Sequence, residues 1–336
     1  MFVTASRRGS VRVFAKLGRW IKSKLGLRLT PDAVDSNLQV YRGYQPSDKI
    51  VAKRYLRSRA SVEDHFYTDG FGVKTLFDCV PFVDAKTLQL DRLNWPFPDD
   101  GFHAEGMEYA VLLDAVDRFA GKGAFCAVEA GAGWGPWLAM AGVVCRHRGV
   151  DKLRLLGAEA SKDRFALMQR HLDFNELNGR SGVDVTLFRG AVWSHDGVVF
   201  FPDSAIEDMG VAATSARECT DYRGQKIAAN EVPCCRLDTL VGEGRQVDFL
   251  HLDIQGAEGE LISSHLDWLG ESVASMMIAT HSRPLEGELM VQLSAAGWIL
   301  HREKPCRFNV GVPKVEWTGE TTLDGGQYWI NAKFAH

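Results

Sequence analysis

Proline is scarce in this chain, 11 of 336 residues, and no internal repeat or low-complexity tract interrupts it. Collagenous, low-complexity and coiled-coil architectures are therefore excluded. No run is long and apolar enough to span a bilayer. Ser6-Arg7-Arg8 is not followed by an apolar stretch of signal-peptide length, so export is not expected. The seven cysteines form no zinc-ligand spacing. Cys126 and Cys145 fall in apolar runs and Cys234 and Cys235 are adjacent, which fits buried thiols in a reducing cytosol and supplies no activated nucleophile. Positive charge is not in excess either. With 39 Lys+Arg against 43 Asp+Glu the chain lacks the basic surface of a duplex nucleic-acid binder, and no nucleic-acid partner is expected. What is present is 46% hydrophobic residues, enough for a large core in one main domain with extensions.

The charge is unevenly placed. Residues 1–30 carry eight Arg and Lys and no acid, and Val13, Phe14, Leu17, Trp20, Ile21 and Leu25 recur at helical spacing. A basic amphipathic helix of that kind suits an anionic membrane surface or, equally, the acidic remainder of the same chain. The first reading puts residues 1–28 in peripheral contact with the inner face of a membrane, with the rest in the cytoplasm. Residues 31–104 read as an extension or lid, with a weak strand signal at Leu76–Phe82 and a Pro/Asp/Gly loop at Asn94–Gly101. Residues 105–336 are the expected core domain, opened by a helix from Glu105 to Ala120 with Tyr109, Leu112, Leu113, Val116 and Phe119 on one face.

Beyond Gly123 the sequence alternates regularly between apolar runs and amphipathic stretches. Strands are expected at Ala124–Ala130, Leu153–Ala158, Val183–Phe188, Val247–Ile254 and Ser275–Thr280, and helices at Pro136–Arg148, Lys162–Leu177 and Ala257–Leu269. Buried strands alternating with helices predict an α/β fold, a parallel sheet covered on both faces. Trp298–Leu300 and Gln327–Ile330 are expected as terminal antiparallel strands. The long interval from Ala191 to Val247 should hold a hairpin around His195-Asp196-Gly197.

Two features point to a ligand. Gly131, Gly133 and Gly135 fall directly between a strand and a helix, where a turn needs positive φ and close backbone approach, and a helix start there offers N–H groups to an anion. Pro136 occupies the place of the third dinucleotide glycine, which favours a ligand with one carboxylate over a pyrophosphate. Glu159 ends the second strand, where a carboxylate accepts hydrogen bonds from the two hydroxyls of an adenosine ribose; the competing reading is an acid near the cap of the next helix.

Glu129–Trp137 (EAGAGWGPW), Leu250–Glu258 (LHLDIQGAE), Leu237–Leu240 and Ile278–Arg283 (IATHSR) together resemble the FkbM-type methyltransferases, over roughly residues 105–301. The resemblance implies a class I methyltransferase (Rossmann-like) three-layer sandwich with a seven-stranded, mostly parallel sheet. It further implies S-adenosylmethionine as cofactor and O-methylation of a hydroxyl on a glycan or secondary metabolite. The implied cofactor residues are Glu129, Gly131, Ala132, Gly133, Trp134 and Gly135 in the glycine loop, Glu159 and Ala160 at the ribose, Ala191 beside the adenine, and Asp253 and Gln255 on the fourth strand. Many members have Asp where this chain has Glu129. Trp134 packs on the cofactor or on the preceding helix, and residues 324–331 resemble the tail of a subset of the family.

Methyl transfer to an alcohol needs a general base near the hydroxyl, in a site that excludes water. Asp253, Gln255 and Glu258 fall at the carboxyl end of the fourth strand and His281 at the end of the fifth, where open α/β sheets bind ligands. His281 is the expected base, with Asp253 or Glu258 orienting it or the substrate. Helix capping by Asp253 and Glu258 is the plainer reading of those acids. The three residues also suit a divalent ion, but their spacing is not diagnostic and no metal is expected. His251 shares a strand face with Asp253 and reads as core. Two readings from other classes remain: a non-catalytic S-adenosylmethionine-binding scaffold at a membrane, and an NAD(P)-dependent oxidoreductase, which Pro136 disfavours.

Overall fold

Apolar residues on both sides of five successive strands leave a sheet no exposed face, so helices must cover each side. A computed structural model of the chain, describing residues 43–57, 59–95, 97–102, 104–202, 210–220, 226–311 and 321–335, has this arrangement. The basic segment 1–30 lies outside the described residues. Among those described, no helix is long and apolar enough to cross a membrane.

Helix α1 (Pro46–Tyr55) leads to a small antiparallel sheet of β1 (Ser61–Val62), β2 (Phe66–Thr68) and β3 (Lys74–Leu76), then to the single turn α2 (Leu90–Leu93). The weak strand signal at 76–82 is corrected: only its first residue is in β3, and Phe77–Cys79 turns as a 3-10 helix. The core follows as α3 (Gly106–Phe119), β4 (Ala124–Ala130), α4 (Pro136–His147), β5 (Lys152–Glu159), α5 (Lys162–Phe174) and β6 (Val183–Arg189). Next come β7 (Ala191–Val192), β8 (Gly197–Pro202), β9 (Glu218–Thr220), β10 (Lys226–Cys235), α6 (Leu237–Val241), β11 (Phe249–Leu252), α7 (Glu258–Ser272) and β12 (Ser275–Thr280). The chain ends in α8 (Arg283–Ala295), β13 (Trp298–Lys304), the β14 (Arg307–Phe308) and β15 (Thr321–Leu323) pair, and β16 (Gly325–Asn331).

The main sheet has seven strands in the order β13-β16-β12-β11-β4-β5-β6. The five from β12 to β6 are parallel, and β16 lies antiparallel between β12 and β13. Of the two expected terminal strands, β16 alone runs against the set, because β13 opposes β16 and so turns back to the common direction. This is the class I methyltransferase sheet. Strand alternation divides the core in two. Phe125, Ala127, Leu155, Tyr328 and Ile330 pack with α3, α4 and α5, whereas Cys126, Val128, Leu156 and Trp329 face α6, α7 and α8. The expected hairpin at 195–197 is also corrected. That turn leads from β7 into β8, but both pair with β10, in parallel and antiparallel respectively, and the consecutive antiparallel pair of this interval is β9 with β10.

From Arg42 onward the chain is one compact unit, and the part before Glu105 is built into it. Asp48 of α1 accepts two bonds from Arg302 of β13, at 3.2 and 3.0 Å. Asn175 brackets Lys74 of β3, accepting from its N–H and donating to its carbonyl, both at 2.9 Å. Leu138 of α4 is fully buried against β5, whereas Val291 on α8 is 72% exposed. Leu138→Ala should therefore cost about 2–5 kcal/mol in urea unfolding and Val291→Ala no more than about 0.5. Similar losses from both would contradict this division of core and surface.

Candidate functional site

The chain leaves β4 in one direction across the sheet, to β5 and β6, and later in the other, to β11 and β12, so a crevice opens at the carboxyl ends beside β4. Gly131 turns there with φ +73°, and a Cβ on it would stand 1.8 Å from the Asp253 carbonyl oxygen at the end of β11. Only glycine allows this approach. A Cβ on Gly133, by contrast, would meet nothing within 4 Å. The crevice is a cleft of about 540 Å³, and all the expected cofactor residues except Gly135 line it.

The glycine loop satisfies its own amides. Gly131 and Ala132 donate to the Ala158 carbonyl at 3.1 and 2.9 Å, and Gly135 to that of Ala132 at 2.7 Å. Gly133 donates to Glu159 at 2.7 Å. Pro136, first in α4, has no N–H, and the next two amides, of Trp137 and Leu138, reach the carboxylate of Glu129 at 3.5 and 2.9 Å. The expectation that this helix start lies open to a ligand carboxylate is thereby corrected: an internal acid already caps it. Burial raises the Glu129 carboxyl to about 7, although His251 and the two amides oppose the rise.

Glu159 is almost wholly buried at the end of β5, and it bridges the glycine loop to the next helix by accepting from Gly133 and, also at 2.7 Å, from Ser161. The helix itself is capped by the Ser161 hydroxyl, so the cap reading of Glu159 is not needed. Each Glu159 oxygen takes one amide bond and keeps acceptor capacity for a ribose hydroxyl. With the open face at Gly133 beside it, the residues present fit an adenosine ligand. Ala160 and Ala191 form the adjoining wall. Trp134 packs into the cluster of Tyr67, Val80, Leu93 and Leu167, edge-on to His171 at 4.8 Å, so its partner is the extension and α5.

His281 lies between two carboxylates, its Nε2 3.3 Å from Asp253 Oδ1 and its Nδ1 3.4 Å from Glu258 Oε1. Burial alone would depress the imidazole, but Glu258 and Asp253 outweigh it and hold the pKa well above the usual histidine value. The carboxylates on both sides favour the protonated ring, which weighs against the expected role of His281 as base. Burial favours the neutral form of Asp253, yet His281 holds this acid below the ordinary carboxylate range. Its side chain remains 35% exposed to the cleft. Glu258 does not line the cleft. Fully buried, it accepts from Ile254 and Gly256, both at 2.9 Å, and so pins the turn in which Gln255 takes φ +59° and donates to Asp253 Oδ1 at 2.8 Å. Asp253, Glu258 and His281 also form a group that could hold a metal ion, their ligand atoms all within 4.8 Å of one another.

Several lining residues escape sequence reasoning. His251 is buried in the cleft wall with Nε2 3.5 Å from Glu108 Oε1, so the residue read as core borders the site. Glu108 belongs to the capping box of α3, and only its three-residue spacing from Glu105 signals it. Phe102 follows the 94–101 loop and Thr321–Leu323 forms β15, and neither carries a motif.

Because the folded protein binds the Glu129 proton up to about pH 7 and the unfolded chain only to about 4.5, wild-type stability falls as pH rises through that window. Glu129→Gln keeps an oxygen for the Leu138 amide and removes the slope. Its stability relative to wild type should improve by up to about 3 kcal/mol between pH 5 and pH 8 in urea melts. Identical pH profiles would show that the carboxyl titrates normally.

No protein-family model matches the chain. Over 254 residues, 74% of this chain and 88% of the relative, it is 31% identical to a protein of Jannaschia sp. (strain CCS1) that bears a methyltransferase name. Among solved structures, the METTL16 MTase domain aligns with 85% of this chain and 92% of its own, at 12% identity and TM-score 0.40. Methyltransferase FkbM from Methylobacillus flagellatus KT aligns with 66% and 54%, at 11% identity and TM-score 0.37. At such scores these likenesses carry no argument about this chain. The curated relative, the sheet order and the adenosine-fitting crevice agree, and the oxidoreductase reading gives way: the chain belongs to the S-adenosylmethionine-dependent methyltransferases.

Proposed function

We propose that the protein methylates a hydroxyl oxygen of a glycan or secondary metabolite, as an enzyme of FkbM type. The observation that carries this reading is Asp253, its side chain 35% exposed and facing the cleft, with His281 behind it at 3.3 Å. When bound, S-adenosylmethionine supplies an electrophilic methyl carbon on a sulfonium. Glu159 holds the ribose hydroxyls, and the glycine loop lets the ligand lie against backbone. His281 and Gln255 both engage Asp253 Oδ1, which turns Oδ2 to the acceptor hydroxyl. As the hydroxyl oxygen attacks, Oδ2 takes its proton, and the His281 imidazolium keeps the carboxylate in place. Glu258 is a positioning residue that acts through His281 and through the 254–256 backbone. The extension over Trp134 closes one side of the cleft against water.

Calorimetry with S-adenosylhomocysteine and turnover assays test this division of labour. Glu159→Ala should weaken cofactor binding at least about tenfold, whereas Asp253→Asn should bind within about threefold of wild type and lose about 10²–10³ in kcat. Equal losses of binding and turnover in Asp253→Asn would reject its role as base. The pH profile separates the two bases. A carboxylate held below the usual range stays ionised from pH 5 to 8 and gives a flat acid limb, whereas activity climbing through that range would return the role to neutral His281.

A further inference from the structure

Large apolar side chains left in water are ordinary when scattered and informative when grouped at a cleft. Phe102 lines the cleft and is 37% exposed, Leu323 lines it too at 38%, and Phe82, 56% exposed, packs on Phe102 with ring centroids 5.0 Å apart and ring planes tilted by 51°. This shelf is preformed. The Phe102 amide donates to Asp100 Oδ1 at 2.8 Å, and Asp100 is held through Oδ2 by the buried Tyr67 hydroxyl at 2.7 Å. Gly101, at φ +83°, makes the turn that presents the ring.

The charged groups beyond the shelf are mostly acidic: Glu108, Glu129, Glu159, Asp253 and Asp324 line the cleft, against Arg164 and the two histidines His251 and His281 among its described lining residues. A chain of phosphates would be repelled by these acids, whereas carboxylates readily accept bonds from hydroxyl groups. We propose that Phe82, Phe102 and Leu323 form the acceptor-docking shelf, and that they take an uncharged hydroxylated ring, a sugar above all, by its apolar C–H face while its hydroxyls turn to Asp253 and Asp324. The proposal rests on the hydroxyl-methylating reading and adds to it the residues that select the acceptor.

Saturation-transfer difference NMR on the full chain loaded with S-adenosylhomocysteine tests it, with methyl β-D-glucopyranoside, methyl β-D-galactopyranoside and methyl α-D-mannopyranoside as probes and a uridine tetranucleotide as the charged alternative. At least one glycoside should receive saturation on its ring C–H protons. Phe102→Ala and, separately, Leu323→Ser should reduce that signal about fivefold while S-adenosylhomocysteine affinity stays within about twofold, which also reports an intact fold. Absence of signal from all three glycosides, equal signals in wild type and both variants, or saturation of the tetranucleotide in their place would overturn the proposal. Failure of the hydroxyl chemistry itself appears elsewhere, in the Asp253→Asn turnover and its pH profile.

Discussion

The contact between Gly131 and the Asp253 carbonyl governs the rest of the site. Two backbones meet there because one of them has no side chain, and the meeting ties the end of β4 to the end of β11 across the point where the sheet changes direction. It sets the glycine loop at a fixed distance from Asp253. Any side chain at 131 would push the two halves of the crevice apart.

Around that contact, buried carboxylates act as fasteners. Glu129 closes the start of α4, Glu159 ties the glycine loop to Ser161, and Glu258 holds the turn after β11. Each takes amides that would otherwise be left unpaired in a dry interior, and each brings an acidic group close to the crevice. A cationic sulfonium entering such a place finds the field already arranged, with no reorientation needed when it arrives.

Most of the sheet is legible because its central strands are buried on both faces and most of its helices carry clear apolar stripes. β4 and β12 coincide with their apolar runs, and β11 is shorter than its run because Asp253 already begins the turn. Helix α8 was missed, since Arg283–Ala295 interrupts its apolar spacing with Glu286, Gly287 and Glu288. At the site, positions were readable and roles were not. Glu129, Glu159, Asp253 and His281 all reach the crevice, but spacing does not reveal that Glu129 of β4 caps the helix that follows it or that His281 meets acids on both sides. Those are facts of side-chain direction, decided by neighbours far away in sequence. The aromatic pair Phe82 and Phe102 is of the same kind, joined across a fold of the extension that no local pattern announces.

The place of β16 bears on how the molecule is made. β13 precedes it in the chain yet has no neighbour in the main sheet except β16, which itself fits only against β12. During synthesis the strands up to β12 can assemble in order as they leave the ribosome, but β13 must wait, unpaired, until residues 325–331 follow. For that interval β12 presents a bare apolar edge to the cell, the stage at which a nascent chain of this design is most exposed to aggregation and most in need of a chaperone.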